Sequence, residues 1–151
     1  MKKEIWEKSQ ERDKERRHVM LLWSKYVDEV VEKCKEDGSY FEPRFTKVKC
    51  SPYKKVAPDD SIYIKESPGK LLYKVRATRA EYYSDLKPSD IRDIKEEYNE
   101  DFGDEESNYA SLIFFDNLKK IDPPVDFPRQ YGAGWIVIEE DGKYWDVIED
   151  L

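Results

Sequence analysis

The sequence contains few of the residues from which metal centres, disulfide frameworks and membrane spans are built. Its 151 residues include one histidine, His18, and two cysteines, Cys34 and Cys50, outside any Cys-x-x-Cys motif. These are too few for an ordinary zinc site or a disulfide scaffold, so we expect reduced thiols, no metal and no cofactor. No apolar run reaches the roughly 18 residues of a membrane span, and no secretory signal is visible, which predicts a cytoplasmic protein without membrane contact.

Aromatic residues are abundant in spite of the high charge. Charged residues make up 40% of the chain and aromatic residues 14%. So much charge alone would favour disorder, but so many large rings can fill a core. We therefore predict a single domain over residues 18–151. Residues 1–17 carry charges of both signs at helical spacing, which predicts a charged helix or a mobile leader.

The first half of the chain shows a strand, a helix and a second strand. An apolar run over residues 18–23 predicts a buried strand. The helix after it is expected to have Ser24 as its N-cap and to be closed by Asp37 and Gly38. Residues 40–50 are rich in β-branched and aromatic side chains and contain Pro43. Because proline cannot donate to a strand ladder, we place this strand at a sheet edge.

The second half predicts mostly strands. A hairpin is expected over residues 61–82, an acidic helix over 91–102, and a central strand over 110–121 that the pair Pro123-Pro124 ends. A C-terminal hairpin is expected over residues 134–151. Together these elements predict an α+β fold with a small mixed, mostly antiparallel β-barrel flanked by two to four helices.

The charge is unevenly distributed. Residues 43–79 hold ten basic and three acidic residues, whereas Ser89 to Glu106 holds nine acidic and two basic ones, in a chain of net charge −7. The basic stretch predicts a positive face that binds nucleic acid with a strong salt dependence. The alternative is that these are solvated charges on exposed strand faces. The acidic helix from Ser89 to Glu106 could bind a basic protein partner.

Two motifs in this order of elements carry a family resemblance. Gly38 to Arg44 reads GSYFEPR, and Pro58 to Ser67 reads PDDSIYIKES. Over roughly residues 18–138 the chain resembles the ASCH domains of the PUA-like superfamily and archaeal PUA-like proteins. The resemblance implies a pseudo-barrel with a cleft beside the first helix, which holds RNA or a modified nucleotide.

The first motif also indicates which family residues are present. The family pattern has a lysine where this chain has Tyr40 or a gap, and only Glu42 and Arg44 carry over. Family members that hydrolyse acetylated nucleosides use that lysine in catalysis. The resemblance therefore implies binding rather than catalysis, and it assigns no catalytic residue.

The candidate binding residues lie on two strands. Tyr40, Glu42 and Arg44 alternate, so on an extended strand they share one face and offer a ring, an acceptor and a guanidinium to a nucleotide. The alternative is a structural Glu42–Arg44 ion pair with Tyr40 packed over it. Further candidates for phosphate contacts are Lys47, Lys74 and Arg76.

Two other functions remain open at this stage. A small nucleoside or nucleic-acid hydrolase could use the same cleft, with Tyr40, Glu42 or Lys47 as its base or nucleophile. A protein-interaction domain without a nucleic-acid ligand would instead use the acidic helix.

Overall fold

The computed structural model describes residues 1–7, 15–130, 132 and 134–151. Within these ranges seven strands and three helices form a mixed α+β fold. In chain order they are β1 (Lys2–Trp6), β2 (Arg17–Leu22), α1 (Ser24–Asp37), β3 (Ser39–Thr46), β4 (Ser61–Glu66), β5 (Leu71–Ser84), α2 (Pro88–Tyr98), β6 (Tyr109–Val125), β7 (Trp135–Ile138) and α3 (Trp145–Ile148). None of these helices is long and apolar enough to cross a membrane.

All seven strands belong to one sheet. Its order is β3-β6-β5-β4-β2-β7, and β1 pairs with the C-terminal half of β5. Only the β2–β4 pair is parallel, which fits its long connection through α1 and β3. Among the described residues no ladder joins β7 back to β3, so the mostly antiparallel sheet is present but is not closed into the predicted β-barrel. One reason lies in β3 itself, where Pro43 has no N–H to give to a further strand.

Helix α1 follows the pattern that the sequence predicts. Val27, Val30 and Cys34 are buried at helical spacing, and the opposite side of the helix is exposed. The helix ends at Gly38, whose φ of 78° is left-handed and whose N–H donates to the carbonyl of Cys34. The chain can therefore turn directly from α1 into β3, which places the helix beside that strand.

Alternation along the strands divides the core. Met20 and Ile62 pack with α1 in a first cluster, whereas their neighbours Val19 and Tyr63 pack with the C-terminal residues in a second. A third cluster lies under α2, where Ile91 and Ile94 are buried. The hairpin β4–β5 is thus present as predicted. The acidic helix is also present as α2, but it ends at Tyr98, where Asn99 adopts a left-handed conformation, so the predicted helical end up to residue 102 is wrong.

Both ends of the chain differ from the prediction. Lys2–Trp6 is a strand rather than a helix or a leader, and the ring of Trp6 meets that of Tyr82 edge-on at 4.9 Å. This ring contact and the pairing with β5 outweigh the helical spacing of the charges. Residues 8–14 of the predicted leader lie outside the described residues.

The prediction of a C-terminal hairpin is also wrong. β7 pairs with β2, and the residues after it form the short helix α3. Trp145 and Ile148 are three residues apart, so one helical turn brings both against the second cluster, where Ile148 is fully buried. The strand β6 runs through Pro123-Pro124 to Val125 instead of ending before them. Only β5 pairs with this end of β6, so its other edge needs no proline N–H.

Candidate functional site

A cleft of about 450 Å³ lies between α1, the strand β3 and the segment that follows α2. The edge of β3 that is not paired with β6 faces this space. Aromatic rings and carboxyl groups dominate the walls. The lining residues are Leu22, Tyr26, Glu29, Val30, Tyr40, Phe41, Glu42, Pro43, Glu100, Asp101, Phe102 and Gly103.

The alternation predicted for β3 holds. Tyr40 packs against the first cluster, whereas Phe41 and Phe45 pack against the third, under α2. Tyr40 and Glu42 both line the cleft, and Arg44 lies directly behind Glu42. The structure therefore brings these three predicted residues together.

Arg44 fixes the carboxyl group of Glu42 and ties β3 to the far end of the sheet. Its Nε donates to Glu42 Oε1 at 3.0 Å, and its two terminal nitrogens donate to the carbonyls of Leu21 and Gly134 at 3.1 and 3.2 Å. The guanidinium also faces the ring of Trp135, 5.8 Å from its centroid. All these bonds are charge-assisted, so Arg44 orients Glu42 and spans the gap between the two sheet edges. The predicted ion pair is present within the candidate site.

Gly134 leaves the room that Arg44 needs. A Cβ atom at this position would lie 2.5 Å from the Nη1 atom of Arg44. Gly103 plays a similar part on the opposite wall, where a Cβ would lie 2.7 Å from the ring of Phe45. Its φ of 83° is also left-handed. Both glycines allow a close approach that shapes the cleft.

The cleft is acidic. Four of its lining residues carry carboxyl groups, and none of the described residues that line it is basic. Burial raises the pKa of Glu42, although Arg44 partly opposes the shift, and Glu29 raises it further. Burial likewise raises the pKa of Tyr40, as do the nearby carboxylates of Glu29 and Glu100. Tyr40 is therefore a neutral phenol, and it donates to Glu29 Oε1 at 3.2 Å.

Two of the predicted phosphate contacts lie elsewhere. Lys74 is on the side of β5 that faces the second cluster, and its Nζ donates to the main-chain oxygen of Leu151 at 3.2 Å. Arg76 lies near the carboxylates of Asp59 and Asp116, at 3.9 and 3.5 Å. Lys74, Arg76 and Lys119 border a separate pocket of about 220 Å³. The structure does not bring them to the cleft beside α1.

Most of the predicted basic stretch is paired. Lys47, the third candidate, lies outside the cleft lining and forms an exposed ion pair with Glu106 at 2.9 Å. Lys65 and Lys74 donate to main-chain oxygens. Of the ten basic residues in 43–79, six lie within 4.0 Å of a carboxylate that belongs to the described part of the chain: Arg44, Lys47, Lys54, Lys70, Arg76 and Arg79. The charge excess of this stretch is thus largely balanced by acids from distant parts of the sequence.

A buried polar chain supports the back of the site. The indole N–H of Trp135 donates to Nδ1 of His18 at 3.1 Å, so Nε2 carries the proton and donates to Asp60 Oδ2 at 2.9 Å. Burial raises the pKa of Asp60, but hydrogen bonds from His18 and from the backbone of Ala57 and Arg16 outweigh burial and lower it. The neutral imidazole of His18 therefore fixes the indole ring of Trp135, which the guanidinium of Arg44 faces. Its role is structural.

Half of the cleft was not visible in the sequence. Tyr26 and Glu29 lie on α1, where their spacing is that of an ordinary amphipathic helix. The sequence predicts Glu100 to Phe102 as the last residues of the acidic helix rather than as part of a cleft wall. They reach the cleft because α2 ends at Tyr98 and Asn99 adopts a left-handed φ of 51°, which turns the chain back toward β3.

Comparison with known proteins gives one structural similarity. No family model matches the chain, and no curated protein matches it. It is similar to the crystal structure of a tyrosine-to-phenylalanine variant of the ZmASCH protein from Zymomonas mobilis, with a TM-score of 0.53 and 12% identity, over 83% of this chain and 91% of that one. At this identity the similarity shows the fold alone, so the chain has an ASCH-like fold.

Proposed function

We propose that the chain binds RNA or a modified nucleotide by inserting one unpaired base into the cleft beside α1. The observation that carries the proposal is the cleft itself, about 450 Å³ in volume, with aromatic walls and a carboxyl group fixed by Arg44. A cleft of this size that combines aromatic walls with oriented polar groups is typical of a small-ligand site. The ASCH-like fold and the two family motifs are consistent with this function.

The polar groups favour contact with the base rather than with phosphate. Glu42 can accept hydrogen bonds from an exocyclic amino group or a ring N–H, and Tyr40 and Phe102 offer rings against which a base can lie. The four carboxyl groups would repel a phosphate in the cleft but would stabilise a base that carries positive charge. The preferred ligand is therefore rich in N–H donors or positively charged through modification.

The hydrolase alternative has fewer candidates in the structure than in the sequence. Lys47 is paired with Glu106 outside the cleft lining, and Tyr40 is a neutral phenol bonded to Glu29. Of the three candidates from the sequence, Glu42 remains as a base in the cleft lining. Release of a product from a modified nucleoside that disappears in Glu42→Gln would favour hydrolysis over binding.

The proposal is tested by calorimetric titration with the four ribonucleosides, their 5′-monophosphates and their base-methylated cationic forms. We expect at least one nucleoside to bind, its monophosphate to bind no more tightly, and Glu42→Gln to weaken binding about fivefold or more. Glu106→Gln is the matched control, because its carboxylate is exposed and outside the cleft lining. If none of these compounds binds, or if both variants weaken binding equally, the proposal is wrong.

A further inference from the structure

Two stacked aromatic rings stand exposed at the start of α1. Trp23 is 65% exposed and Tyr26 is 44% exposed. Their ring centroids are 6.2 Å apart and their planes differ by 28°. Large rings are usually buried, as Trp135 is in this chain at 5% exposure. These two exposed, stacked rings therefore offer a flat apolar surface on which a planar ligand can stack.

The pair is continuous with the cleft. Tyr26 is itself one of the lining residues, and Trp23 lies directly beside it on the solvent side. The ammonium group of Lys25 lies 4.9 Å from the centroid of the Tyr26 ring, so a positive charge accompanies the rings outside the carboxyl groups of the cleft. Aromatic walls and a cation thus extend from the cleft toward solvent.

We propose that Trp23 and Tyr26 form a stacking platform for the nucleotide next to the one held in the cleft. This inference rests on the proposed function and narrows its ligand to a single-stranded nucleic acid of two or more nucleotides. Every base has a π-face that can stack on an aromatic ring, but the bases of a duplex stack on each other. Lys25 is placed to approach the phosphate that links the two nucleotides.

The size of the patch favours a nucleotide over a protein. A stable protein interface buries about 800 Å² on each partner, far more than two side chains expose. Among the described residues the other exposed large apolar side chains are Met1, Ile5 and Val48. None of them lines the cleft with Tyr26. Two rings match the area of one or two bases.

Equilibrium titration of the full chain with two kinds of probe tests the platform. The probes are the free ribonucleosides and fluorescein-labelled heptaribonucleotides of uridine, cytidine or adenosine, followed by calorimetry and anisotropy. We expect Trp23→Ala to weaken the best heptamer roughly 5- to 100-fold, and to change nucleoside affinity less than twofold. Trp23→Phe keeps a ring and is expected to retain most of the heptamer affinity. The wild-type heptamer should also quench the fluorescence of the exposed Trp23.

The outcomes separate this inference from the proposed function. If a nucleoside binds through Glu42 but Trp23→Ala leaves heptamer affinity unchanged, the platform is wrong and the proposed function stands. If a heptamer binds through Trp23 while no nucleoside binds, the rings contact RNA, but the cleft proposal is wrong, and so is the placement of the platform next to a base held in the cleft. If neither probe binds, both are wrong. Thermal melts of the three proteins check folding, and a replacement at so exposed a position should leave the melting temperature almost unchanged.

Discussion

The guanidinium of Arg44 joins three separate parts of the chain. It bonds Glu42 in its own strand, Leu21 at the end of β2 and Gly134 before β7. A lysine could make only part of this set, because its single ammonium group lacks the planar fork of arginine. The position of the cleft carboxyl group therefore depends on contacts far from it in sequence.

The first prediction concerns the space beside Arg44. Gly134→Ala would place a Cβ against Nη1 and displace a guanidinium held by three bonds, so we expect it to lower the free energy of unfolding by about 1–3 kcal/mol. Urea denaturation measures this change. In an Arg44→Ala background the same substitution should cost less than about 0.5 kcal/mol, because the clashing group is gone. Equal costs in both backgrounds would contradict this explanation.

The second prediction concerns Glu42 and pH. Its pKa in the folded chain is raised by burial above the ordinary value of 4.5, so between these two values the folded state binds more protons than the unfolded state. Stability should therefore fall as pH rises through this window. Glu42→Gln removes the titration, so its stability relative to the wild type should increase from pH 4.5 upward and then level off. Urea denaturation of both proteins between pH 4.5 and 8 tests this, and a difference in stability that does not change with pH would contradict it.

At the scale of elements, the segment between β3 and β4 depends on one tyrosine. The hydroxyl of Tyr82 in β5 accepts from the backbone N–H of Val56 at 2.9 Å and donates to its carbonyl. Val56 and Ala57 are completely buried next to the first cluster. Backbone bonds also join Asp59 and Asp60 of this segment to Ala77 in β5, and the hydroxyl of Tyr82 adds the bonds at Val56.

The third prediction follows from that bond. Tyr82→Phe leaves a buried N–H and a buried carbonyl without the hydroxyl, and we expect it to cost about 1–3 kcal/mol. Tyr73→Phe is the matched control, because Tyr73 lies in the same strand, is only half-buried and has no hydroxyl bond to another described residue. Chemical denaturation of both variants measures the difference. A loss as large in Tyr73→Phe would show that the bond to Val56 is not the cause.

Sequence patterns predicted the elements whose stability is local. The helix α1 and the hairpin β4–β5 carry their turns and periodicity within themselves, and both are present. The predicted N-cap Ser24 is wrong, because Trp23 holds that position and the hydroxyl of Ser24 donates to Glu66 instead. Other wrong predictions concern segments whose secondary structure depends on contacts with residues far away in sequence. Lys2–Trp6 is a strand because β5 has a free edge there, and the C-terminal residues turn into α3 because the second cluster accepts Trp145 and Ile148.

Over the whole molecule, charge pairing joins regions that are far apart in sequence. Lys47 pairs with Glu106, Lys54 with Glu4 and Lys70 with Asp126. The count of charges along residues 43–79 was correct, but the sequence could not show which acids would lie opposite them. The same holds for the site, where β3 was predicted and the facing residues of α1 and the 100–103 segment were not.

The fourth prediction concerns salt. Most basic side chains of residues 43–79 form ion pairs with carboxylates, and the cleft is acidic. We therefore expect only about one or two phosphate contacts per bound RNA strand. The slope of log K against log salt should then lie between zero and roughly −2 for single-stranded RNA, rather than the steep value that the sequence suggested. Anisotropy titrations from 50 to 300 mM salt measure it. A slope near −5 would indicate an unpaired positive face after all.

The open sheet has a seam where β3 approaches β2 and β7, and one side chain spans it. Elsewhere neighbouring strands are joined by ladders of several residues, but here Leu21 and Gly134 reach β3 through Arg44. If the hydrogen bonds of Arg44 break, Leu21 and Gly134 lose this link to β3 beside Glu42, although no ladder between strands is broken. Opening of this seam is therefore expected to require the loss of the Arg44 bonds but of no ladder between strands.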